Sequence, residues 1–134
     1  MKTIAERLLI KPGHRVRVIG PSVDGSPSIG AALIGVLPEG AGTVADGPAD
    51  VVVVFVRDVA ELRAALPGAA EAAGHDGLLW LAYPKLSSGV ESDLRRDVIT
   101  PLTDDIAGLT GVTLISIDQT WSAMRLRPSS CYRA

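Results

Sequence analysis

Lys85, Ser87, Ser88 and Gly89 stand within five residues, just ahead of a segment with helical spacing. An ammonium, two hydroxyls and the backbone amides of such a turn suit a phosphate or a carboxylate. The competing reading of the same residues is structural, with the serines capping amides and the lysine in water. A second constellation is Asp118, Thr120 and Trp121, between two strand-like runs. An aspartate in a tight turn often bonds its own backbone, so a turn-forming role competes there with ligand contact. Ser22 and Asp24 follow an earlier strand-like run and form a third polar loop. None of these groups pairs a nucleophile with a base or an acid with a base, so no catalytic residue is assigned.

Other chemistry is excluded by what the chain lacks. Two histidines, His14 and His75, and one cysteine, Cys131, do not make a zinc site of the usual kinds. Asp104 and Asp105 are adjacent on a helix-like segment and point to different sides, which is the pattern of a solvated face. Arg95 and Arg96 alternate with Asp93 and Asp97 and read as surface ion pairs.

The elements that would position these residues follow from hydrophobic spacing. Thr3 and Glu6 have capping-box spacing for a short helix through Leu9, stopped by Pro12-Gly13. Arg15 to Ile19 reads as a strand, Ile29 to Leu37 as a helix weakened by Gly30 and Gly35, and Thr43-Val44 as a very short strand. Val51 to Val56 is an unbroken β-branched and apolar run, the signature of a strand buried on both faces at the centre of a parallel sheet. Asp58 and Glu61 have N-cap and N3 spacing for a helix whose stripe is Val59, Leu62, Leu66, Ala69 and Ala73, with Pro67 expected to bend or split it. Leu78 to Tyr83 is a second buried strand closed by Pro84, and Trp80 within it is core. Val90, Leu94, Val98, Leu102, Ile106 and Leu109 keep helical spacing almost to Gly111, with a kink or a restart capped by Thr100 expected at Pro101. Val112 to Ile117 and Trp121 to Arg127 are two strands joined by Asp118-Gln119-Thr120 as a hairpin.

Apolar strands alternating with helices specify a parallel sheet covered on both faces, and ligands bind such sheets where the carboxyl ends of the strands open. Ser22, Arg57, Asp58, Lys85, Ser87, Ser88, Asp118 and Thr120 all follow a strand and fall on that edge. His14 and His75 precede strands and fall on the other, about 17–20 Å away. Trp121 shares a strand face with Ala123, Arg125 and Arg127, which reads as an arginine over tryptophan or as a partner-binding strip.

One hundred and thirty-four residues, 47% hydrophobic and 21% charged, suffice for one packed domain, expected over 1–128 with a loose tail over 129–134. Thirteen basic residues against fifteen acidic ones leave a net charge of −2, which favours neither nucleic acid nor an anionic membrane as partner. The expected partner is a small anionic ligand or a protein, a homodimer included. With one cysteine, no signal-like start and no apolar run near membrane length, the expected setting is the cytoplasm.

The stretches Ile10 to Ile19 and Gly77 to Ala82, with the closing hairpin, resemble the first, fifth and last two strands of S-adenosylmethionine-dependent methyltransferases. The resemblance implies a three-layer, Rossmann-like, mostly parallel sheet with a C-terminal antiparallel hairpin, its last strand inserted beside Leu78–Tyr83. It departs from that family at the cofactor loop, where GxGxG is replaced by Gly20-Pro21-Ser22-Val23-Asp24, and at the second strand, where only Asp46 stands near a ribose-binding acid. No cofactor is therefore assigned. Three motifs resemble a family of small bacterial domains of unknown function: Tyr83-Pro84-Lys85-Leu86-Ser87-Ser88, Asp93-Leu94-Arg95-Arg96-Asp97, and Ile117-Asp118-Gln119-Thr120-Trp121-Ser122-Ala123-Met124-Arg125. That resemblance supplies no reaction. The function expected is a noncatalytic binding module, with a degenerate methyltransferase-like enzyme acting on a small anionic substrate as the alternative.

Overall fold

The computed structural model describes residues 7–19, 39–44, 47–74, 77–85, 94, 96–117 and 121–129. Its central feature is the run of valines. Val51–Phe55 forms β3, and every residue of it is buried. Because strand side chains alternate, Val52 and Val54 enter one core, while Val51, Val53 and Phe55 enter a second on the opposite face. Each such side chain contributes about 1.5–3 kcal/mol by leaving water. A strand with no solvated face must have neighbours on both edges. β1 (Arg15–Ile19) and β4 (Leu78–Pro84) pair with it in parallel.

The complete sheet has the order β2-β1-β3-β4-β6-β5, with β2 at Gly42–Thr43, β5 at Leu109–Ser116 and β6 at Trp121–Pro128. β6 lies antiparallel between β4 and β5, so the last strand of the chain is inserted beside Leu78–Pro84. β5 then runs in the same direction as β4. The mostly parallel α/β sheet with a reversed C-terminal strand is thus the architecture that the sequence implies.

Two helices are found among the described residues. α1 (Val59–Ala73) opens at Asp58, whose carboxylate accepts the Glu61 amide at 2.9 Å, while the Glu61 carboxylate accepts the Arg57 amide at 2.6 Å. This reciprocal arrangement satisfies amides that the first turn leaves without partners. Gly74, at φ 67°, ends the helix with its own amide on the Ala70 carbonyl. Leu62, Leu66, Ala69 and Ala73 face the first core as the stripe requires. Of the two effects expected of Pro67, the split is not found. The proline lies on the exposed side, as does Arg63, so the one backbone bond it forgoes leaves a carbonyl on the solvent face.

α2 (Arg96–Ala107) departs from the sequence reading at three points. Thr100 and Pro101 lie inside one helix, with no restart between them. Gly108, at φ 64°, stops the helix with its amide on the Asp104 carbonyl. Leu109, whose spacing fits the helical stripe, instead begins β5, three residues before the expected start. It is buried either way, and periodicity alone does not separate the two assignments. The second core is covered among the described residues by Leu8 and Ile10, and the Trp80 indole donates to the Leu8 carbonyl at 2.9 Å. Ser129, assigned by sequence to the tail, is 4% exposed and donates its amide to the Gly108 carbonyl. The expected Thr3–Glu6 cap and the Ile29–Leu37 helix lie outside the described residues.

The exposed position of Pro67 makes it a place where the helix gains by substitution. Pro67→Ala is expected to raise unfolding free energy by about 1–3 kcal/mol, since proline is the least favourable interior residue and its ring is exposed here. Urea denaturation of the two proteins measures the difference.

Candidate functional site

The carboxyl edge of the sheet is assembled by the inserted strand. β4 ends at Pro84, paired with Trp121, and β5 ends at Ser116, paired with Ser122. Lys85 follows Pro84, and its ammonium crosses the start of β6 to donate to the Ser116 hydroxyl. The Ser116 carbonyl accepts a second cation, the Arg7 guanidinium, at 2.9 Å, and the same group reaches the Ile117 carbonyl at 3.5 Å. Two positive side chains, one from each end of the chain's first two-thirds, therefore meet on one residue of the rim. Ser116 and Arg7 were not legible as site residues. They are separated by 109 positions, and nothing in their local sequence marks either.

Trp121 is brought to the same rim but with its ring turned inward. It is 9% exposed and packs edge-on against Phe55, with centroids 5.2 Å apart and an angle of 89°. Ala82, the small residue of β4 on the same face, leaves room for the two rings to meet. The face shared by Trp121, Ala123 and Arg125 is as the alternation requires, but at Trp121 it is core and not an open strip. Arg125 pairs with Trp80 across the strands, and its Nε is buried with no hydrogen-bond partner among the described residues.

Of the residues expected to bind a ligand, Lys85 and Trp121 are described. Ser22, Ser87, Ser88, Asp118 and Thr120 lie outside the described residues. The residues flanking the hairpin tip are joined, the Ile117 amide donating to the Trp121 carbonyl at 2.9 Å. Arg57 and Asp58, also on the carboxyl edge, are engaged in the start of α1.

The amino edge carries a hollow of its own. A cavity of about 590 Å³ opens there beside His14, Arg15, Asp50, Glu71, Gly74 and Leu78. Its size alone does not make it the functional site, because its central polar pair has a structural task. The Asp50 carboxylate accepts the Arg15 amide at 2.8 Å and lies 3.5 Å from the guanidinium, tying the start of β1 to the start of β3. The Arg15 amide, with the guanidinium beside it, holds the Asp50 carboxyl below its ordinary range. His14 accepts the Lys11 amide on Nδ1 at 3.0 Å, which places it at this edge as the sequence implies. No cluster of metal-ligating side chains occurs among the described residues, and no helix among them is long and apolar enough to cross a membrane.

No family model matches the chain, and no curated protein matches it. Two solved structures share its fold. One is an O-methyltransferase from neocarzinostatin biosynthesis in complex with S-adenosylmethionine and 2-hydroxy-5-methyl naphthoic acid, at TM-score 0.61 and 18% identity, over 90% of this chain and 50% of that one. The other is a ribosomal protein L11 methylase from Lactobacillus delbrueckii subsp. bulgaricus, at TM-score 0.51 and 13% identity, over 93% of this chain and 74% of that one. The fold is therefore methyltransferase-like and Rossmann-like, and the chain spans half the length of the first of these enzymes. In sequence Gly20-Pro21-Ser22-Val23-Asp24 follows β1 in place of a GxGxG turn, and Pro21 lacks an amide to offer a ligand; residues 20–38 and 45–46, which follow β1 and β2, lie outside the described residues.

Two expectations follow from this geometry. Trp121→Ala should cost about 3–5 kcal/mol of stability, and Trp121→Phe much less, because the ring fills core beside Phe55; thermal unfolding distinguishes this from a ligand-contact residue, whose removal leaves the melting temperature in place. For Asp50, a folded pKa below the unfolded value of about 3.9 means stability that is present at neutral pH and is lost as pH falls through the folded value. Asp50→Asn should accordingly melt below the wild type at pH 7, with the gap closing under acid conditions in a pH series of melts.

Proposed function

We propose that the protein is a noncatalytic α/β module that binds a small anionic ligand at the carboxyl rim of its sheet, with Lys85 as the principal positive group. One observation carries the reading. Lys85 reaches from the end of β4 across the inserted strand to Ser116 at the end of β5, so the strand ends that lead into the Lys85-to-Gly89 motif and into the Asp118–Thr120 hairpin share one rim. An ammonium already held at the mouth of a parallel sheet presents its charge to an incoming carboxylate or phosphate with little further ordering. The single cysteine suits a cytoplasmic setting.

A second reading, a degenerate methyltransferase-like enzyme acting on a small anionic substrate, is favoured by the likeness to a structure that holds S-adenosylmethionine. In that reading the same rim would hold the substrate, and the loops after β1 and β2 would hold the cofactor by means other than the glycine-rich turn. The two readings differ in which small molecule stabilises the native protein.

Thermal unfolding with inorganic phosphate, citrate and S-adenosylmethionine, at matched ionic strength in potassium chloride, tests them. Phosphate or citrate should raise the melting temperature by several degrees, and Lys85→Ala should abolish the rise while keeping its own melting temperature close to the wild type. A rise with S-adenosylmethionine and none with the anions would instead establish the second reading.

A further inference from the structure

We propose that the outer edge of β5 is a self-association surface, pairing antiparallel with β5 of a second copy of the chain. The inference is independent of the ligand reading. β5 is the last strand in the sheet order, and among the described residues no strand pairs with its outer side. The other sheet edge is the two-residue β2, too short to recruit a partner. β5 is eight residues long, Leu-Thr-Gly-Val-Thr-Leu-Ile-Ser, with no charge and no proline. Monomeric proteins guard such edges with lysine, proline or inward-facing charge, because a bare row of amides and carbonyls is a template for pairing. Two features temper the edge among the described residues, the register irregularity between Gly111 and Thr113 at one end and the Arg7 guanidinium on the Ser116 carbonyl at the other, and the run Thr113–Ile115 lies between them.

The edge also exposes apolar surface where a partner strand would lie. Val112 and Leu114 are 38% and 44% exposed, two of the three exposed large apolar side chains among the described residues. Beside them a notch of about 180 Å³ opens between Thr100 of α2 and the strand, floored by Met124. Gly111 creates it: a Cβ there would come within 2.5 Å of the Met124 sulfur. Such a hollow lined by a thioether suits an aliphatic side chain such as Leu114 of the second copy.

Charge selects the second copy and its direction. At the start of β5 stand the exposed Asp104 and Asp105; Asp104 accepts from the Ser129 hydroxyl at 2.7 Å, which in turn lies 2.7 Å from the Thr110 hydroxyl. At its end, Arg7 and Lys85 converge on Ser116. Eight residues separate the two ends by about 26 Å. A two-fold axis between the two β5 strands sets the acidic end of one copy beside the basic end of the other, twice over, whereas a parallel alignment sets like beside like and does not close. Arg127 stands opposite Thr110, one strand further in, and tempers the acidic end without reversing it. The uncharged middle meets its own copy without repulsion. An interface limited to one strand edge and its notch is small, so the association is expected to be concentration-dependent in the micromolar range.

Sedimentation equilibrium of the chain across that range should give a mass rising above the 13.9 kDa of the monomer, more so at low salt. Leu114→Lys, which places a guarding charge on an exposed position, should return the mass to the monomer with unchanged far-ultraviolet circular dichroism. In a Cys131→Ser background, Thr113→Cys near the middle of the strand should crosslink to itself with a short bismaleimide, and crosslinking does not depend on the Lys variant folding. A monomer at every concentration overturns the proposal. So does a dimer that Leu114→Lys leaves intact and that Thr113→Cys does not crosslink.

Discussion

Burial of β3 on both faces is the constraint from which the rest of the structure follows. Five consecutive apolar residues cannot be solvated on either side, so the chain must supply two cores, one against α1 and α2 and the other beneath Leu8 and Ile10. Once both faces are closed, the strand edges and ends are what the sheet has left to offer a ligand or partner. The buried faces hold the molecule together, and the rims are free to vary.

The inserted strand β6 decides what those rims contain. Without it, the ends of β4 and β5 would be neighbours in direct contact, and the hairpin would hang at the margin. With β6 between them, Lys85 and Ser116 are two strands apart and still within hydrogen-bond reach, because the side chain of lysine is long enough to span the start of Trp121. The same insertion buries Trp121 against Phe55 and moves β5 to the outside, where its uncharged run is left at the border. The rim of the proposed ligand site and the proposed self-association edge are thus two outcomes of one topological choice.

Much of the scaffold was legible from residue type and spacing. The valine strand, the Asp58–Glu61 cap and the buried Trp80 were readable because each rests on interactions within a few residues, or on a strand so apolar that only the centre of a sheet accommodates it. The misreadings share a cause. Pro67 and Pro101 lie inside continuous helices, where packing of the buried face outweighs one missing backbone bond. Leu109 satisfies a helical stripe and a buried strand equally well, and pairing with Pro128 at the far end of the chain chose the strand. Trp121 read as an arginine's stacking partner or as part of a binding strip because the ring it packs against, Phe55, belongs to a strand 66 positions earlier.

By itself the sequence determined the class of fold, the central strand and the edge at which Arg57 and Lys85 leave their strands, since these depend on local periodicity and on the cost of exposing apolar side chains. Tertiary structure alone decided that Arg7, Lys85 and Ser116 meet, that Trp121 faces inward, and that Val112 and Leu114 stand exposed on the outermost strand. Those outcomes rest on contacts between residues far apart in the chain, and spacing along a sequence carries no record of which distant partner will close the gap.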